Sequence, residues 1–308
     1  MPELNINSFE NKNIAPMLFK EADDVFNSPD YLYELKFDGI RCLAYLDNDK
    51  TTLINKRGKI LNPTYPELMS LHQNANQKLI LDGELVVFKE SKPDFYALQR
   101  RSLMTDPLKI KIQMKLNPVI YIAFDLLFLE NQLLINMPLF ERKRLLKTSL
   151  KEDKNLLISK HLEGKGKELF EIVKAMNLEG IVAKEKESFY YPGKRSSVWL
   201  KMKVYQEDDL VICGYIPKEN NIIDLIMGRY LEGKLIRAGR VITGKYKREI
   251  IDYAKKHPSP PLFDQEEAIW MVPNLVGTVR YMMETKTGGL RQPVFVGIRD
   301  DKIGKDLM

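Results

Sequence analysis

Residues 119–129, Val-Ile-Tyr-Ile-Ala-Phe-Asp-Leu-Leu-Phe-Leu, form a nearly continuous apolar run broken only by Asp125. Apolar and polar positions do not alternate in it, so it fits a strand buried on both faces. Such a strand needs paired neighbours at its edges and packed layers above and below. With 308 residues, 44% of them hydrophobic, the chain can build two domains with cores of their own.

Other bulk features narrow the class. No apolar run approaches the ~20 residues of a membrane-spanning helix. The first residues, Met1-Pro2-Glu3-Leu4-Asn5, have neither the basic region nor the apolar core of a signal peptide, so a cytoplasmic location is expected. Cys42 and Cys213 lie far apart in apolar surroundings and read as buried free thiols of a reducing compartment. None of His72, His161 and His257 is near a cysteine or an acidic cluster, which argues against a histidine-ligated metal. A net charge of +6 suits a polyanionic partner without requiring one.

Residues 1–13 are polar and read as an extended arm, with 14–18 as an apolar anchor. Next, Glu34-Leu35-Lys36-Phe37-Asp38-Gly39-Ile40-Arg41 sets a lysine between two acids, near a strand end and a glycine-permitted turn. Free lysine is almost fully protonated at neutral pH, with a pKa of about 10.4. A partly desolvated site with other cations or a metal would lower that value and make the amine a nucleophile. An ordinary salt-bridged surface lysine is the competing reading. Residues 51–55 read as a strand leading to Lys56-Arg57-Gly58-Lys59, either a phosphate-facing turn or a solvated hairpin tip.

Residues 79–88 read as strand, Asp82-Gly83 turn, strand, which leaves Glu84 unexplained. A carboxylate in so apolar a segment calls for a paired cation or a metal. Helices are expected at 94–103 and, as a basic amphipathic helix with Pro138 in its first turn, from 138 onward. The clearest helix is 165–177, with Leu169, Ile172, Val173 and Met176 as a core stripe. Glu179-Gly180 then opens a β-type run ending at Lys184, and 197–203 alternates, so Lys201 and Lys203 share one face. After residue 204 the short β-type runs 210–215, 224–231, 234–242, 276–284 and 294–298, with a helix at 247–256, suit a small β-barrel.

The ordered set says more than any single motif. Lys36-Phe37-Asp38-Gly39-Ile40-Arg41 is followed by Asn55-Lys56-Arg57-Gly58, Asp82-Gly83-Glu84, Ala123-Phe124-Asp125, Glu179-Gly180-Ile181-Val182-Ala183-Lys184 and Trp199-Leu200-Lys201-Met202-Lys203. With the 291–302 segment, this series resembles the covalent nucleotidyltransferase superfamily, specifically ATP-dependent DNA ligases, over roughly residues 14–302. Tyr191-Pro192-Gly193-Lys194-Arg195-Ser196, Gly239-Arg240-Val241-Ile242-Thr243-Gly244 and Trp270-Met271-Val272-Pro273 are similar to the ligase module of bacterial end-joining ligases. Gln292 departs from that module, where histidine is usual.

The resemblance implies an α+β, two-domain nucleotidyltransferase. Its antiparallel-sheet adenylation domain would occupy 1–203 and an OB-fold β-barrel 204–308, in a stand-alone monomer associated with the nucleoid. It further implies that Lys36 attacks the α-phosphate of ATP and forms a lysyl–AMP adduct, that AMP passes to the 5′-phosphate of a nick, and that the 3′-hydroxyl displaces it. Glu84, Glu179 and Asp38 would hold Mg2+ or Mn2+. Lys201 and Lys203 would hold the α-phosphate, and Glu34 and Lys184 would approach the nucleotide. Phe124 would stack on adenine, Arg41 and Arg57 would contact ribose or the nick phosphate, and Arg299, Asp301 and Lys302 would orient pyrophosphate. Nicked or broken duplex DNA is the implied partner, and a bacterial Ku protein stays open as another. The rivals are an RNA ligase, an mRNA-capping guanylyltransferase and a non-catalytic OB-type nucleic-acid binder. The 299–302 ending argues against the first, the Trp199–Lys203 form against the second, and the intact lysine and acid set against the third.

Overall fold

The structure is a computed structural model that describes residues 4–264, 267–285 and 288–308. The chain divides into two compact units between Val204 and Tyr205.

The first unit stacks two sheets. One has the strand order Leu18–Glu21, Arg195–Lys203, Gly180–Glu185, Tyr31–Leu35 and His161–Glu163, antiparallel except for the first pair. The other runs Thr51–Asn55, Ile40–Leu46, Leu79–Lys89, Val119–Leu129 and Gln132–Leu133, all antiparallel, with Leu156–Ile158 added in parallel on Val119–Leu129. Tyr31–Leu35 and Ile40–Leu46 are consecutive in the chain yet belong to different sheets. Residues 36–39 are therefore the crossing point between the two sheets.

Between the sheets lies a core of Leu32 and Trp199 from one and Leu43, Tyr45, Ile80 and Leu127 from the other. The outer face of the second sheet buries Cys42, Ala44, Leu81, Leu85, Tyr121 and Leu126 against Tyr65, Leu68, Leu98 and Leu146. Helix Gly166–Ala175 covers the outer face of the first sheet through Val173, beside Tyr33, Ile181 and Met202. The 119–129 run is thus buried on both faces, as its composition demands.

The second unit is an antiparallel sheet in the order Lys234–Thr243, Ile223–Leu231, Gln206–Pro217, Leu275–Tyr281 and Val294–Ile303, with Ile269–Trp270 on Gln206–Pro217. Helix Lys247–Lys256 packs Ile250 and Ala254 into a core with Leu210, Ile212, Leu225 and Phe295. This is the half-barrel of an OB fold. Cys42 and Cys213 are both buried and free.

Four local expectations are overturned. Ser8–Asn11 is a helical turn, not an extended arm, and buries Phe9 against Tyr45 and Phe128 at centroid distances of 5.9 and 5.4 Å. Leu79–Lys89 is one unbroken strand with no hairpin at Asp82-Gly83. Glycine is needed there for closeness: a Cβ on Gly83 would lie 2.5 Å from the Tyr121 ring and 2.6 Å from the Ile122 carbonyl oxygen. On helix Gly166–Ala175 only Val173 of the proposed stripe is fully buried, with Leu169 half-buried, while Ile172 and Met176 are exposed. Helix Leu139–Ser149 turns two of its cations inward, because Arg142 and Lys143 each meet a buried carboxylate.

Candidate active site

Strand alternation places Leu32 and Glu34 on one face, and the next position of that face is Lys36. Its backbone N–H donates to the Gly180 carbonyl at 3.0 Å, which extends the pairing one residue past the strand. Cross-strand register does the rest. Glu34 faces Val182, which faces Lys201, and Gly180 faces Lys203. Lys36, Lys201 and Lys203 therefore rise from neighbouring rows of one sheet face. Across the crossing, Arg41 pairs with Glu84 on the second sheet. Gly39 permits that approach: a Cβ there would collide with the Leu85 carbonyl oxygen and come within 2.7 Å of Glu84 Cγ.

A pocket opens at this seam, lined by Glu34, Lys36, Arg41, Glu84, Phe124 and Lys184, with Phe19, Leu35, Phe37 and Val182 as its apolar wall. Lys36 Nζ lies 2.8 Å from Glu179 Oε1, and its side chain is 20% exposed, so the amine is both held and accessible. Burial pushes the Glu179 carboxyl up despite Lys36. It also pushes Glu84 up to about 8 against the pull of Arg41 and Lys36. The Lys203 ammonium is lowered by burial and by Lys201.

Among the described residues, no group of three or more His, Cys, Asp or Glu side chains stands ready to hold a metal by itself. Glu84, Glu179 and Asp38 thus do not form a closed cage. Glu179 Oε2 is nevertheless buried without a hydrogen-bond partner, and both glutamates are destabilised as carboxylates without a further cation. Mg2+ commonly takes one or two protein carboxylates and completes its shell with water and substrate phosphates, and this donor set fits that habit.

At and beneath the pocket are three ionic groupings. Glu34, 1% exposed, meets Lys143 Nζ at 2.7 Å and Lys184 Nζ at 3.0 Å and accepts from Ser159 Oγ at 2.7 Å. Burial raises its carboxyl, but the two ammonium groups outweigh burial and hold it at about 2. Burial lowers Lys184 to about 8 in spite of Glu34. Arg41 forks onto Asp82 at 2.5 and 2.6 Å, and Tyr190 donates to the same carboxylate at 2.6 Å. Arg142 forks onto Asp125 at 2.8 Å on both arms, with neither side chain exposed, which accounts for the lone acid in the apolar strand.

The site residues read from the sequence separate into groups. Lys36, Glu34, Arg41, Glu84, Phe124 and Lys184 converge on the pocket. Arg41 is already engaged by Asp82, and Arg41 Cζ and Lys184 Nζ each sit 4.4 Å from the Phe124 ring centroid, so a base stacking on that ring would compete with them. Lys201 reaches Glu21 at 3.1 Å. Arg57 stands exposed on the turn after Thr51–Asn55, outside the pocket lining. In the second unit, Arg299 and Lys302 lie on strand Val294–Ile303 and both bind Asp209, at 2.9 and 2.6 Å, while Arg299 also clasps Asp301 at 2.7 Å. Sequence reasoning missed Lys143, Ser159 and Tyr190. Their partners lie 109, 125 and 108 positions away, and nothing local marks them.

Comparison with known proteins identifies the family. Residues 16–203 match the family model of the ATP dependent DNA ligase domain, and 218–302 match the ATP dependent DNA ligase C terminal region. The chain is 32% identical to the multifunctional non-homologous end joining DNA repair protein LigD of Mycobacterium tuberculosis (strain ATCC 25618 / H37Rv), over 96% of this chain and 39% of that protein. It is 28% identical to the SPbeta prophage-derived DNA ligase-like protein LigB of Bacillus subtilis (strain 168), over 92% of this chain and 97% of that one. The solved structure of mycobacterial DNA ligase D complexed with ATP and MES superimposes with a TM-score of 0.58 at 29% identity, covering 96% of this chain and 98% of that one. The chain thus spans well under half of the mycobacterial LigD protein while containing both ligase regions, and it belongs to the ATP-dependent DNA ligase family of enzymes.

Proposed function

We propose that this chain seals 5′-phosphate/3′-hydroxyl nicks or breaks in duplex DNA, using ATP, through an AMP adduct on Lys36 and a DNA-adenylate, in end joining or a related repair pathway. The observation that carries the reading is the seam lysine: a partly exposed side chain whose Nζ is held 2.8 Å from Glu179, in a pocket that also brings Arg41, Lys184, Glu34 and Glu84 to an apolar wall. First, the unprotonated Lys36 amine bonds through nitrogen to the α-phosphorus and loses an N–H proton to solvent, the bond from that phosphorus to the bridging oxygen breaks, and pyrophosphate leaves with its electrons. A 5′-phosphate oxygen of DNA then bonds to the adenylate phosphorus, the P–N bond breaks, and the lysine nitrogen leaves with a proton as the free amine. Finally the 3′-hydroxyl oxygen bonds to the 5′-phosphorus, its proton is lost, and AMP leaves.

Each residue has a distinct task. Glu179 holds the amine in place in the resting site. Lys201 and Lys203, on the same face, neutralise α-phosphate charge as the P–N bond forms. Glu34 and Lys184 line the nucleotide end of the pocket. Arg299 and Lys302 are the cations assigned to the pyrophosphate, and Asp209 is the group they would leave to reach it. Glu84 and Glu179, with Asp38, would hold Mg2+ or Mn2+, whose contribution is to offset phosphate charge.

The test is incubation with α-labelled ATP and magnesium, then denaturing electrophoresis, with Lys36→Ala alongside. A labelled band in the parent, absent in the variant and discharged by nicked DNA, is the expected result. If no band forms even after pyrophosphate pretreatment to strip any pre-existing adduct, the catalytic reading fails.

A further inference from the structure

Helix Pro107–Leu116, sequence Pro-Leu-Lys-Ile-Lys-Ile-Gln-Met-Lys-Leu, is apolar on two opposite sides. At 100° per residue, Ile110 and Met114 fall on one side, and Leu108, Ile112 and Leu116 form a ridge almost diametrically opposite. Ile110 is 5% exposed and holds the helix to the domain. Leu108, Ile112 and Leu116 are 66%, 49% and 68% exposed, and Leu103, just before the helix, is 77% exposed. Single exposed leucines are ordinary, but three aligned along one helix face are not. The exposure does not come from fraying. Asp106 caps the N-terminus, accepting from the Leu108 and Lys109 amides at 2.8 and 3.2 Å.

The charges are as ordered as the ridge. On the same wheel Lys109 borders the ridge on one side and Lys111 and Lys115 on the other, all three exposed. Residues 107–116 contain no acid. We propose that this helix is a docking surface for an amphipathic helix of a partner protein, one that sets an aliphatic ridge between rows of Asp and Glu. Such a helix would lay its apolar side chains along Leu108, Ile112 and Leu116, while its carboxylates meet Lys109, Lys111 and Lys115. Duplex DNA would satisfy the lysines and leave the ridge in water. A lipid surface calls for a broad face able to sink about 5–10 Å into the headgroup region, and this helix is clamped on its opposite side.

The test uses two fluorescein-labelled three-heptad peptides, both with leucine at the first and fourth heptad positions, one with glutamate and one with lysine at the flanking positions. Fluorescence anisotropy follows binding to the parent, to Leu108→Gln/Ile112→Gln/Leu116→Gln, and to Lys109→Glu/Lys111→Glu/Lys115→Glu. Glutamine keeps nearly the helix propensity of leucine, so the first variant stays folded, and AMP-adduct formation checks this in both. The glutamate peptide is expected to bind the parent, to bind the ridge variant roughly tenfold or more weakly, and to lose to the lysine peptide on the charge-reversed variant. No binding of the glutamate peptide to the parent overturns the proposal. So does equal binding of both peptides, or indifference to the ridge substitutions. Ridge-dependent binding to phosphatidylcholine–phosphatidylglycerol vesicles without peptide binding would assign the surface to lipid. Ridge-dependent dimerisation in sedimentation without peptide binding would assign it to a second copy of the chain.

Discussion

Replacing Glu34 by glutamine probes the charge arrangement under the pocket. Glu34 lies between two ammonium groups, at 2.7 and 3.0 Å, and its carboxyl is held at about 2 against an ordinary 4.5. At about 1.4 kcal/mol per pKa unit, that difference amounts to roughly 3 kcal/mol of folding stability. Because the folded value is the lower one, the contribution is complete above pH 4.5 and disappears as pH falls toward about 2. Breaking a buried ion pair by removing one partner costs about 3–5 kcal/mol on general grounds, so two independent routes agree. With glutamine in place, Lys143 and Lys184 lose the carboxylate between them, and of the remaining acids Asp125, already forked by Arg142, acts on Lys184. Lys184, already lowered by burial to about 8, then falls further. The unfolded chain keeps that proton up to an ordinary lysine value, so stability of the variant rises with pH from near neutrality, whereas the parent gains from this group only above about 8. Trp199 is in the first unit and Trp270 in the second, so a Trp270→Phe background lets urea unfolding of the first unit be followed by Trp199 fluorescence. The expected loss near pH 7 is about 3 kcal/mol, or roughly 6–12 °C in Tm for a unit of this size, shrinking by pH 9. A loss below ~1 kcal/mol, or one that does not change between pH 7 and pH 9, would refute the reasoning.

Gly83→Ala should destabilise by about 2–3 kcal/mol in urea titration, since its Cβ has neither the Tyr121 ring nor the Ile122 carbonyl to displace cheaply. Gly58→Ala meets nothing within 4 Å and should cost only its left-handed backbone strain, about 1 kcal/mol; an equal loss at both positions would contradict the packing argument. Asp125→Asn should cost about 3–5 kcal/mol by stranding Arg142, and Asp125→Leu with Arg142→Met should recover much of it; a double variant as unstable as the single would mean that the pair fixes more than its own charge. Binding to nicked duplex should weaken steeply with salt as phosphate contacts release counterions, and a flat response would count against a DNA partner.

The sequence displayed the parts of this protein that depend on neighbours in the chain. The apolar run at 119–129, the alternation at Lys201 and Lys203 and the Pro138 helix start are local patterns, and each became the element its pattern demands. It concealed what depends on a distant partner. Asp82-Gly83 has hairpin chemistry, yet Asp82 is bound by Arg41 and Tyr190 and Gly83 makes room for Tyr121, so tertiary packing overrides the turn propensity. Arg142 and Lys143 look like solvated cations of a basic helix for the same reason: the carboxylates that draw them inward stand on other strands. Arg57 shows the opposite limit, since a motif fixes its place in the chain and not where its side chain lies in space.

The buried charges have a physical logic of their own. A buried ion pair stabilises a fold little better than apolar side chains of equal volume, so three groupings of them at and beneath one pocket need another reason. Geometry supplies it. The forks of Arg41 on Asp82 and Arg142 on Asp125 fix planar groups in single orientations. The Asp82 fork holds Arg41, and Glu34 holds Lys184, each 4.4 Å from the Phe124 ring centroid at the pocket wall. Glu34, bound by two lysines, stays ionised where burial alone would protonate it, and keeps a carboxylate at the pocket lining. Glu84 has no comparable support and is pushed up to about 8. The seam thus holds two kinds of carboxylate: Glu34, held ionised by two fixed lysines, and Glu84 with Glu179, whose carboxyls burial raises in spite of Lys36. On the proposed function, Glu34 would belong with the wall that positions a nucleotide, and Glu84 and Glu179 with the part of the site that would take a cation.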